Sequence, residues 1–161
     1  MRIWRISNYA DLSGIGGLKV GGRWHEKGRQ VVYAADHQST ALLEVLVHLE
    51  IAPEDLPDSF QLIEIDVPAN LPIDSIEKAN LEKVSVDWKD DVRISRAQAL
   101  PWFQDLKTPI LRVPSAILPG VSNFLINPLH SDAGELSIVG VQKYPFDTRL
   151  FGHAALPPKT T

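Results

Sequence analysis

The sequence contains no cysteine, no long apolar run and no cluster of basic residues. Without cysteine, the protein can form neither a disulfide framework nor a thiolate metal site, and it has no cysteine nucleophile. This absence fits a reducing cytoplasm. No apolar stretch approaches the roughly eighteen residues of a membrane span, and the N-terminal residues lack the apolar core of a signal peptide. The sequence therefore predicts a cytoplasmic protein that is neither exported nor anchored to a membrane.

The charge balance is mildly acidic. Sixteen Lys and Arg stand against twenty Asp and Glu, which gives a net charge of −4 at pH 7. Because the basic residues are scattered, we expect no direct binding of nucleic acid or of an anionic membrane. The composition, 44% hydrophobic and 22% charged over 161 residues, is typical of one globular domain with a single core.

Two common kinds of catalytic site lack their motifs. Five histidines are present, namely His25, His37, His48, His130 and His153. They show no paired spacing of metal ligands on one element, so the sequence predicts no metal site. The segment around Ser115 is not the Gly-x-Ser-x-Gly turn of a hydrolase nucleophile. What remains are arginines, aromatic rings, a lone carboxylate and several hydroxyl and amide groups, a set that suits a substrate with phosphates, a flat ring and ribose hydroxyls.

The stretch from 20 to 50 holds the densest set of candidate site residues. Gly21 and Gly22 leave room for a ligand to approach the backbone, and the guanidinium of Arg23 is suited to phosphate oxygens. A short buried strand is predicted next, and it carries Tyr33, an aromatic ring with a polar tip. These residues indicate a phosphate-binding and ring-binding site.

A helix follows this strand, and we expect Asp36 or Ser39 to cap its N-terminus. Apolar residues cover most of the helix surface and leave a narrow polar strip formed by Glu44 and His48. Such a strip either meets water or lines a cleft. Helical spacing alone favours water, because a charged residue on a helix is usually solvated.

Short strands separated by turns account for most of the remaining chain. Strands are predicted at 3–6, 30–35, 60–67, 110–113, 123–127 and 137–143, helical segments at 76–81 and 95–106, and a chain break at Pro53 and Pro57. Arg5, on the first strand, either faces the same cavity as Arg23 or lies in water at a sheet edge. Ser115 follows a strand, at a position where site residues are common. The helices are too few for a doubly wound parallel sheet, which favours the α+β class.

Several motifs in order resemble the RES domain family, which is named for an arginine, a glutamate and a serine. The motifs are Trp4-Arg5, Gly21-Gly22-Arg23-Trp24, Val32-Tyr33, Ala41-Leu42-Leu43-Glu44 with His48, Val113-Pro114-Ser115, and the segment from Asn123 to His130. His25 departs from the family pattern, where asparagine is common. The resemblance implies a single domain over 1–161, with a core at 2–151 and a C-terminal tail at 152–161.

The resemblance also implies a fold and an activity. The expected fold is α+β and similar to ADP-ribosyltransferases of the diphtheria-toxin kind, with a split β-sheet core, flanking helices and a cleft for NAD⁺. The expected protein is a toxin of a bacterial toxin–antitoxin pair that consumes NAD⁺ as its substrate, by hydrolysis or phosphorolysis, and needs no cofactor. The expected partner is a DNA-binding antitoxin of the Xre type, which forms a hetero-oligomer with the toxin.

The family's site residues carry over to positions in this sequence. The resemblance implies Arg23, Glu44 and Ser115 as catalytic residues, and Arg5, Arg23, Tyr33, His48, Ser115 and Asn123 as residues that bind NAD⁺. Two alternatives stay open. The protein is a mono-ADP-ribosyltransferase that modifies another protein, or it is a non-enzymatic module that binds a nucleotide.

Overall fold

The computed structural model describes residues 1–49, 59–144 and 146–151. The strands are β1 (Arg2–Ser7), β2 (Val32–Ala35), β3 (Gln61–Asp66), β4 (Ile73–Ser75), β5 (Ile110–Pro114), β6 (Ser122–Ile126) and β7 (Ser137–Lys143). The helices are α1 (Gly16–Lys19), α2 (Gln38–Leu46), α3 (Lys78–Val84) and α4 (Val92–Asp105), with 3-10 turns at Ser131–Glu135 and Thr148–Phe151. The expected break at Pro53 and Pro57 and the expected tail at 152–161 lie outside the described residues.

The seven strands form one sheet in the order β4-β5-β6-β2-β1-β3-β7. Neighbouring strands are antiparallel except β4 and β5, which are parallel. β1 and β3 align along their whole length, whereas β1 and β2 align only at Trp4 and Ala35. The sheet therefore splits at the β1–β2 junction into two parts that remain joined in one hydrogen-bonded order. The predicted α+β class with a split, mostly antiparallel sheet and flanking helices is confirmed.

The two faces of the sheet carry different apolar cores, because successive residues of a strand point to opposite faces. On β2, Val32 and Ala34 join a core that extends across one face of the sheet. The other face carries two separate clusters. Tyr33 packs against the cluster that contains Trp24 and the residues of α3 and α4, while Ala35 packs in the cluster that contains residues of α2. Residues from both clusters line the cleft of this face.

Helix α4 begins and ends at recognisable signals. The carboxylate of Asp91 accepts a hydrogen bond from the backbone N–H of Arg93 and so caps the N-terminus. Leu106 follows the helix with a left-handed backbone, φ 50°. The helix thus starts three residues earlier than the predicted 95 and contains Pro101 in its interior. Within the described residues, no helix combines the length and the apolarity that crossing a bilayer requires.

Candidate active site

A cavity of about 600 Å³ opens on the face of the sheet between α2 and the segment 16–25. Its volume lies within the range of roughly 300–1,000 Å³ that is usual for small-molecule sites. The cavity wall includes six of the seven predicted site residues: Arg5, Arg23, Tyr33, Glu44, His48 and Asn123. The seventh, Ser115, lies behind Glu44 and is buried. The structure therefore brings together residues that are up to 118 positions apart, from Arg5 to Asn123.

Glu44 is held by two side chains from distant parts of the chain. Its Oε1 accepts a hydrogen bond of 2.6 Å from Asn123 Nδ2 and one of 3.0 Å from Ser115 Oγ. Within the described residues Oε2 accepts none, so one oxygen is fixed by the protein and the other is free for a ligand. The expectation from helical spacing that Glu44 meets water is wrong, since the side chain is half-buried in the cavity wall. His48, on the same strip, is exposed at the cavity rim.

The hydroxyl of Ser115 is fully occupied within the protein. It donates to Glu44, and it accepts from the backbone N–H groups of Ile117 and Leu118, both at 3.1 Å. These bonds explain why a serine is buried at the end of β5. In this arrangement Ser115 orients the carboxylate of Glu44. Direct contact between Ser115 and a substrate stays a prediction.

Asn123 reaches Glu44 because of the sheet register. It pairs with Ala35 of β2 and with Val113 of β5, and all three side chains point to the cleft face. Its side chain is buried, with Nδ2 used by Glu44. The sheet thus places an amide donor directly beneath the carboxylate on α2.

Arg23 and Arg5 supply two cationic groups to the cavity wall. The guanidinium of Arg23 lies over the ring of Trp88, with Cζ 6.0 Å from the ring centroid, which restricts its position. Arg5 donates to the carbonyl of Asp11 at 3.3 Å and to the hydroxyl of Ser7 at 3.1 Å. Burial lowers the pKa of Arg5, and the charge of Asp11 opposes this shift. Because β1 is an interior strand, the sheet-edge alternative for Arg5 is wrong.

Tyr33 is held by its hydroxyl so that its ring stays in the cavity wall. The hydroxyl lies 3.1 Å from the backbone N of Trp24, from which it accepts, and 2.8 Å from Nδ1 of His25. His25 in turn lies 3.1 Å from the carbonyl oxygen of Val20 through Nε2. Burial raises the pKa of Tyr33 well above its ordinary value, so the phenol stays neutral. The sequence offered no signal for His25, since its role depends on a tyrosine eight residues away.

The glycines of the segment make room for these side chains. A Cβ atom on Gly22 would lie 2.7 Å from the hydroxyl of Tyr33 and 2.9 Å from the ring of His25. A Cβ atom on Gly21 would lie 3.1 Å from the backbone N of Lys27. Protein atoms therefore crowd both Cβ positions, while the two glycines themselves line the cavity. Approach of a ligand to their backbone stays a prediction.

Three buried polar atoms have no hydrogen-bond partner within the described residues: Trp4 Nε1, Arg23 Nη1 and Asn123 Oδ1. All three belong to residues that line the cavity. Leaving such an atom unpaired costs about 1–3 kcal/mol, and native proteins contain few of them. Their concentration around one cavity is typical of a site that is organised for a ligand and not for stability alone.

The helix that carries Glu44 starts at a residue that the sequence did not single out. The N-cap of α2 is His37, whose Nδ1 accepts from the backbone N–H of Ser39 at 3.2 Å. The expected caps, Asp36 and Ser39, are both wrong. Asp36 instead accepts from the Thr40 hydroxyl and from the backbone N–H of Ser122, both at 3.1 Å. Asp36 therefore ties the start of α2 to β6, the strand that carries Asn123.

Comparisons with known proteins give a consistent result. A profile of the RES domain family matches residues 2–149. A Pseudomonas putida protein named Toxin Res is 45% identical over 151 residues, which cover 94% of this chain and 100% of the relative. A Sphingobium protein named Prs ADP-ribosylating toxin is 38% identical over 159 residues, which cover 94% of this chain and 97% of the relative.

The fold is shared with a solved structure. A chain in the crystal structure of the Mycobacterium tuberculosis MbcT-MbcA toxin–antitoxin complex superposes with a TM-score of 0.71. The match covers 89% of this chain and 83% of that chain, at 20% sequence identity. At this identity the likeness shows the fold alone.

Proposed function

This chain belongs to the RES domain family, and from that premise we propose that it is a toxin that cleaves the bond between nicotinamide and ribose in NAD⁺. RES toxins are enzymes of the ADP-ribosyltransferase-like class, which act on this bond. The observation that carries the proposal is Glu44, a carboxylate with one oxygen fixed by Ser115 and Asn123 and the other free in a cavity that also contains Arg23 and Tyr33.

The chemistry of NAD⁺ cleavage suits a site without a proton donor. In NAD⁺ the nicotinamide ring is a positively charged pyridinium. It departs as a neutral molecule when the bond to ribose breaks, so no general acid is needed. As the bond lengthens, positive charge develops on the ribose. Negative charge held beside that sugar stabilises the transition state more than the ground state, and such interactions raise kcat.

Glu44 is suited to this task because its orientation is set before the substrate arrives. The two hydrogen bonds to Oε1 fix the carboxylate plane and leave Oε2 to face the developing charge or to accept from a ribose hydroxyl. A group that is already oriented avoids the reorganisation that water would need during the reaction. Ser115 and Asn123 act on the reaction through this orientation.

The remaining residues of the wall fit the other parts of the substrate. The guanidinium of Arg23, held over Trp88, is suited to the diphosphate, and Arg5 adds a second positive charge on the same wall. The ring of Tyr33 provides a flat apolar surface for the nicotinamide. His48, at the rim, is placed to contact an exposed part of the bound dinucleotide.

The acceptor of the ADP-ribose distinguishes two candidate activities. With water or phosphate as acceptor, the protein is an NAD⁺ glycohydrolase or phosphorylase. With a side chain of another protein as acceptor, it is a mono-ADP-ribosyltransferase. The second candidate is favoured by one observation, the 38% identity to a relative that is named as an ADP-ribosylating toxin.

Labelled NAD⁺ tests these activities. We expect purified protein to release nicotinamide from NAD⁺ that carries a label in its adenylate phosphate. All label in small molecules supports hydrolysis or phosphorolysis, and the two are separated by repeating the reaction with and without phosphate. Label on protein in a host extract supports transfer. Binding of NAD⁺ without nicotinamide release in any of these mixtures would support a non-enzymatic nucleotide-binding module instead.

The proposed partner is an antitoxin, in a hetero-oligomer with this chain. A complex of a toxin with an antitoxin is the source of the structure that shares the fold. We propose a DNA-binding antitoxin of the Xre type, because a chain with a net charge of −4 is poorly suited to bind an operator itself. Expression of this chain alone in bacteria should arrest growth and lower cellular NAD⁺. Co-expression of the antitoxin, which we expect to be encoded beside this protein, should restore both. Normal growth and NAD⁺ in cells with folded protein would contradict the toxin role.

A further inference from the structure

We propose that His25 is a positioning residue for the reaction: in its neutral form it holds Tyr33 and the loop that carries Arg23 in one arrangement, and its protonation releases them. The inference rests on the proposed function, because Tyr33 and Arg23 matter only if a substrate binds between them. It concerns a residue that is distinct from the groups that were expected to contact NAD⁺.

The hydrogen bonds around His25 fix its tautomer. A carbonyl oxygen only accepts, so the 3.1 Å contact with Val20 requires a proton on Nε2. In the neutral ring, Nδ1 then carries a lone pair and accepts from the hydroxyl of Tyr33 at 2.8 Å. The hydroxyl oxygen of Tyr33 accepts from the backbone N–H of Trp24. Every donor in this chain of bonds therefore has one acceptor, and the direction of each bond is determined.

These bonds join both ends of the loop that contains Arg23 to strand β2. Val20 precedes Arg23 by three residues, Trp24 follows it directly, and Tyr33 belongs to β2. His25 is 5% exposed, and the ring fills space that Gly17 and Gly22 leave open. A Cβ atom on Gly17 would lie 3.0 Å from Nε2, and one on Gly22 would lie 2.9 Å from Nδ1. The loop is thus built around the imidazole.

Protonation of His25 removes one donor–acceptor match from this arrangement. A proton on Nδ1 removes the acceptor of the Tyr33 hydroxyl, and the hydroxyl hydrogen then has no partner in the buried network. Burial lowers the pKa of His25, with a smaller lowering from the charge of Arg96, while the backbone of Val20 and Gly17 and the charge of Glu26 act in the opposite direction. The charged and polar groups that face the ring are therefore Arg96 from α4, Glu26 from the loop and Tyr33 from β2.

Two substitutions separate the two bonds of the imidazole. In His25→Asn the amide oxygen lies near the position of Nδ1 and can accept from Tyr33. In His25→Gln the amide group lies near the position of Nε2, so the bond to Val20 can form while Tyr33 loses its acceptor. Each variant loses one bond, but only the bond to Tyr33 holds a residue of the cavity wall. We therefore expect His25→Asn, which keeps that bond, to keep kcat/KM within about threefold of wild type, and His25→Gln, which loses it, to lose about tenfold.

The dependence on pH distinguishes positioning from a purely structural role. In wild type, kcat/KM should decline as His25 takes up a proton, which happens at a pH below the ordinary pKa of histidine. In His25→Asn this decline should disappear, because asparagine does not titrate. His130→Asn is the matched control, because His130 lies outside the cavity and caps a 3-10 turn through Nδ1, a role that asparagine also fills. It should keep the wild-type profile.

A second measurement does not depend on activity. Nitrogen NMR of the imidazole should show His25 as the neutral Nε2–H tautomer at pH 7, with a pKa below the ordinary value for histidine. If wild type consumes no NAD⁺, the proposed function fails while the NMR result still tests the hydrogen-bond network. The inference would be overturned if the neutral wild-type ring carried its proton on Nδ1. It would also be overturned if wild type, His25→Asn and His25→Gln had the same kcat/KM and the same decline of kcat/KM at low pH.

Discussion

Ser115 Oγ donates a hydrogen bond of 3.0 Å to Glu44 Oε1 across 71 residues of sequence. The same oxygen of Ser115 accepts from two backbone N–H groups of the segment that follows β5. The end of β5 and the helix α2 are therefore tied together at the one carboxylate that we place beside the substrate. Loss of the hydrogen bonds of Ser115 should therefore lower both the stability of the protein and its activity.

Ser115→Ala should lower both quantities. The substitution leaves the N–H groups of Ile117 and Leu118 without their acceptor, which costs about 1–3 kcal/mol of unfolding free energy. Glu44 also loses one of its two donors, so turnover of NAD⁺ should fall. Urea unfolding and nicotinamide release measure the two effects. Ser75→Ala, which removes an exposed hydroxyl, is the control and should change stability by no more than about 0.5 kcal/mol. A Ser115→Ala protein with wild-type stability would contradict the bonding described here.

Arg23→Ala should weaken the binding of NAD⁺. A contact with the diphosphate is made in the ground state and in the transition state alike, so KM should rise more than kcat falls. Loss of a hydrogen bond to a charged group, worth about 1.5–3 kcal/mol, corresponds to roughly tenfold or more in KM. Arg112→Ala is the control. Arg112, on β5, forms an exposed ion pair with Glu77 and does not line the cavity. Steady-state kinetics of both variants would decide, and an unchanged KM in Arg23→Ala would exclude the diphosphate contact.

Much of the fold could be predicted from local patterns in the sequence. Alternation of apolar residues or short apolar runs between turns predicted six of the seven strands, because each strand buries at least one face. The missed strand, β4, has only three residues, too few for alternation to show. It pairs in parallel with β5, and the pairing depends on the sheet and not on its own sequence.

The candidate site was predicted by resemblance more than by pattern. Helical spacing identified the polar strip of Glu44 and His48 but favoured water for it, because spacing shows which side of a helix is polar and not what lies opposite. The partners of Glu44, Ser115 and Asn123, come from β5 and β6. Their meeting with α2 depends on strand order, which local sequence does not encode. The role proposed for His25 was missed for a different reason, since it depends on how the loop folds against Tyr33 of β2.

The stability of the protein should fall in mildly acidic solution because of His25. Burial lowers the pKa of this residue in the folded state below the ordinary value of 6.5. The unfolded chain therefore takes up a proton near pH 6.5, while the folded chain takes it up only at lower pH. The contribution of His25 is fully present above pH 6.5 and is lost as the pH falls from 6.5 through the folded-state pKa.

Urea unfolding of wild type and His25→Asn between pH 8 and pH 5 isolates this contribution. Other titrating groups affect both proteins alike and cancel in the difference between them. Wild type should lose stability relative to the variant as the pH falls. A difference that stays constant with pH would show that His25 titrates alike in the folded and unfolded states.

Glu44→Gln is the change that best separates catalysis from folding. A glutamine amide oxygen can accept from Ser115 and Asn123 as Oε1 does, so both hydrogen bonds and the shape of the side chain are kept. What the substitution removes is the negative charge on the cavity side. The melting temperature should therefore stay close to that of wild type, and the affinity for NAD⁺ should change little.

Turnover should respond strongly, because the lost charge acts mainly on the transition state. An interaction worth on the order of 3 kcal/mol in the transition state corresponds to a fall of roughly a hundredfold in kcat. Nicotinamide release and calorimetric binding of NAD⁺ measure the two responses separately. Glu82→Gln is the matched control, since it removes the same charge from an exposed helix pair with Lys78 and should leave kcat unchanged. If Glu44→Gln protein melts like wild type and still consumes NAD⁺ at a similar rate, the carboxylate has no role in the chemical step and the proposed mechanism is wrong.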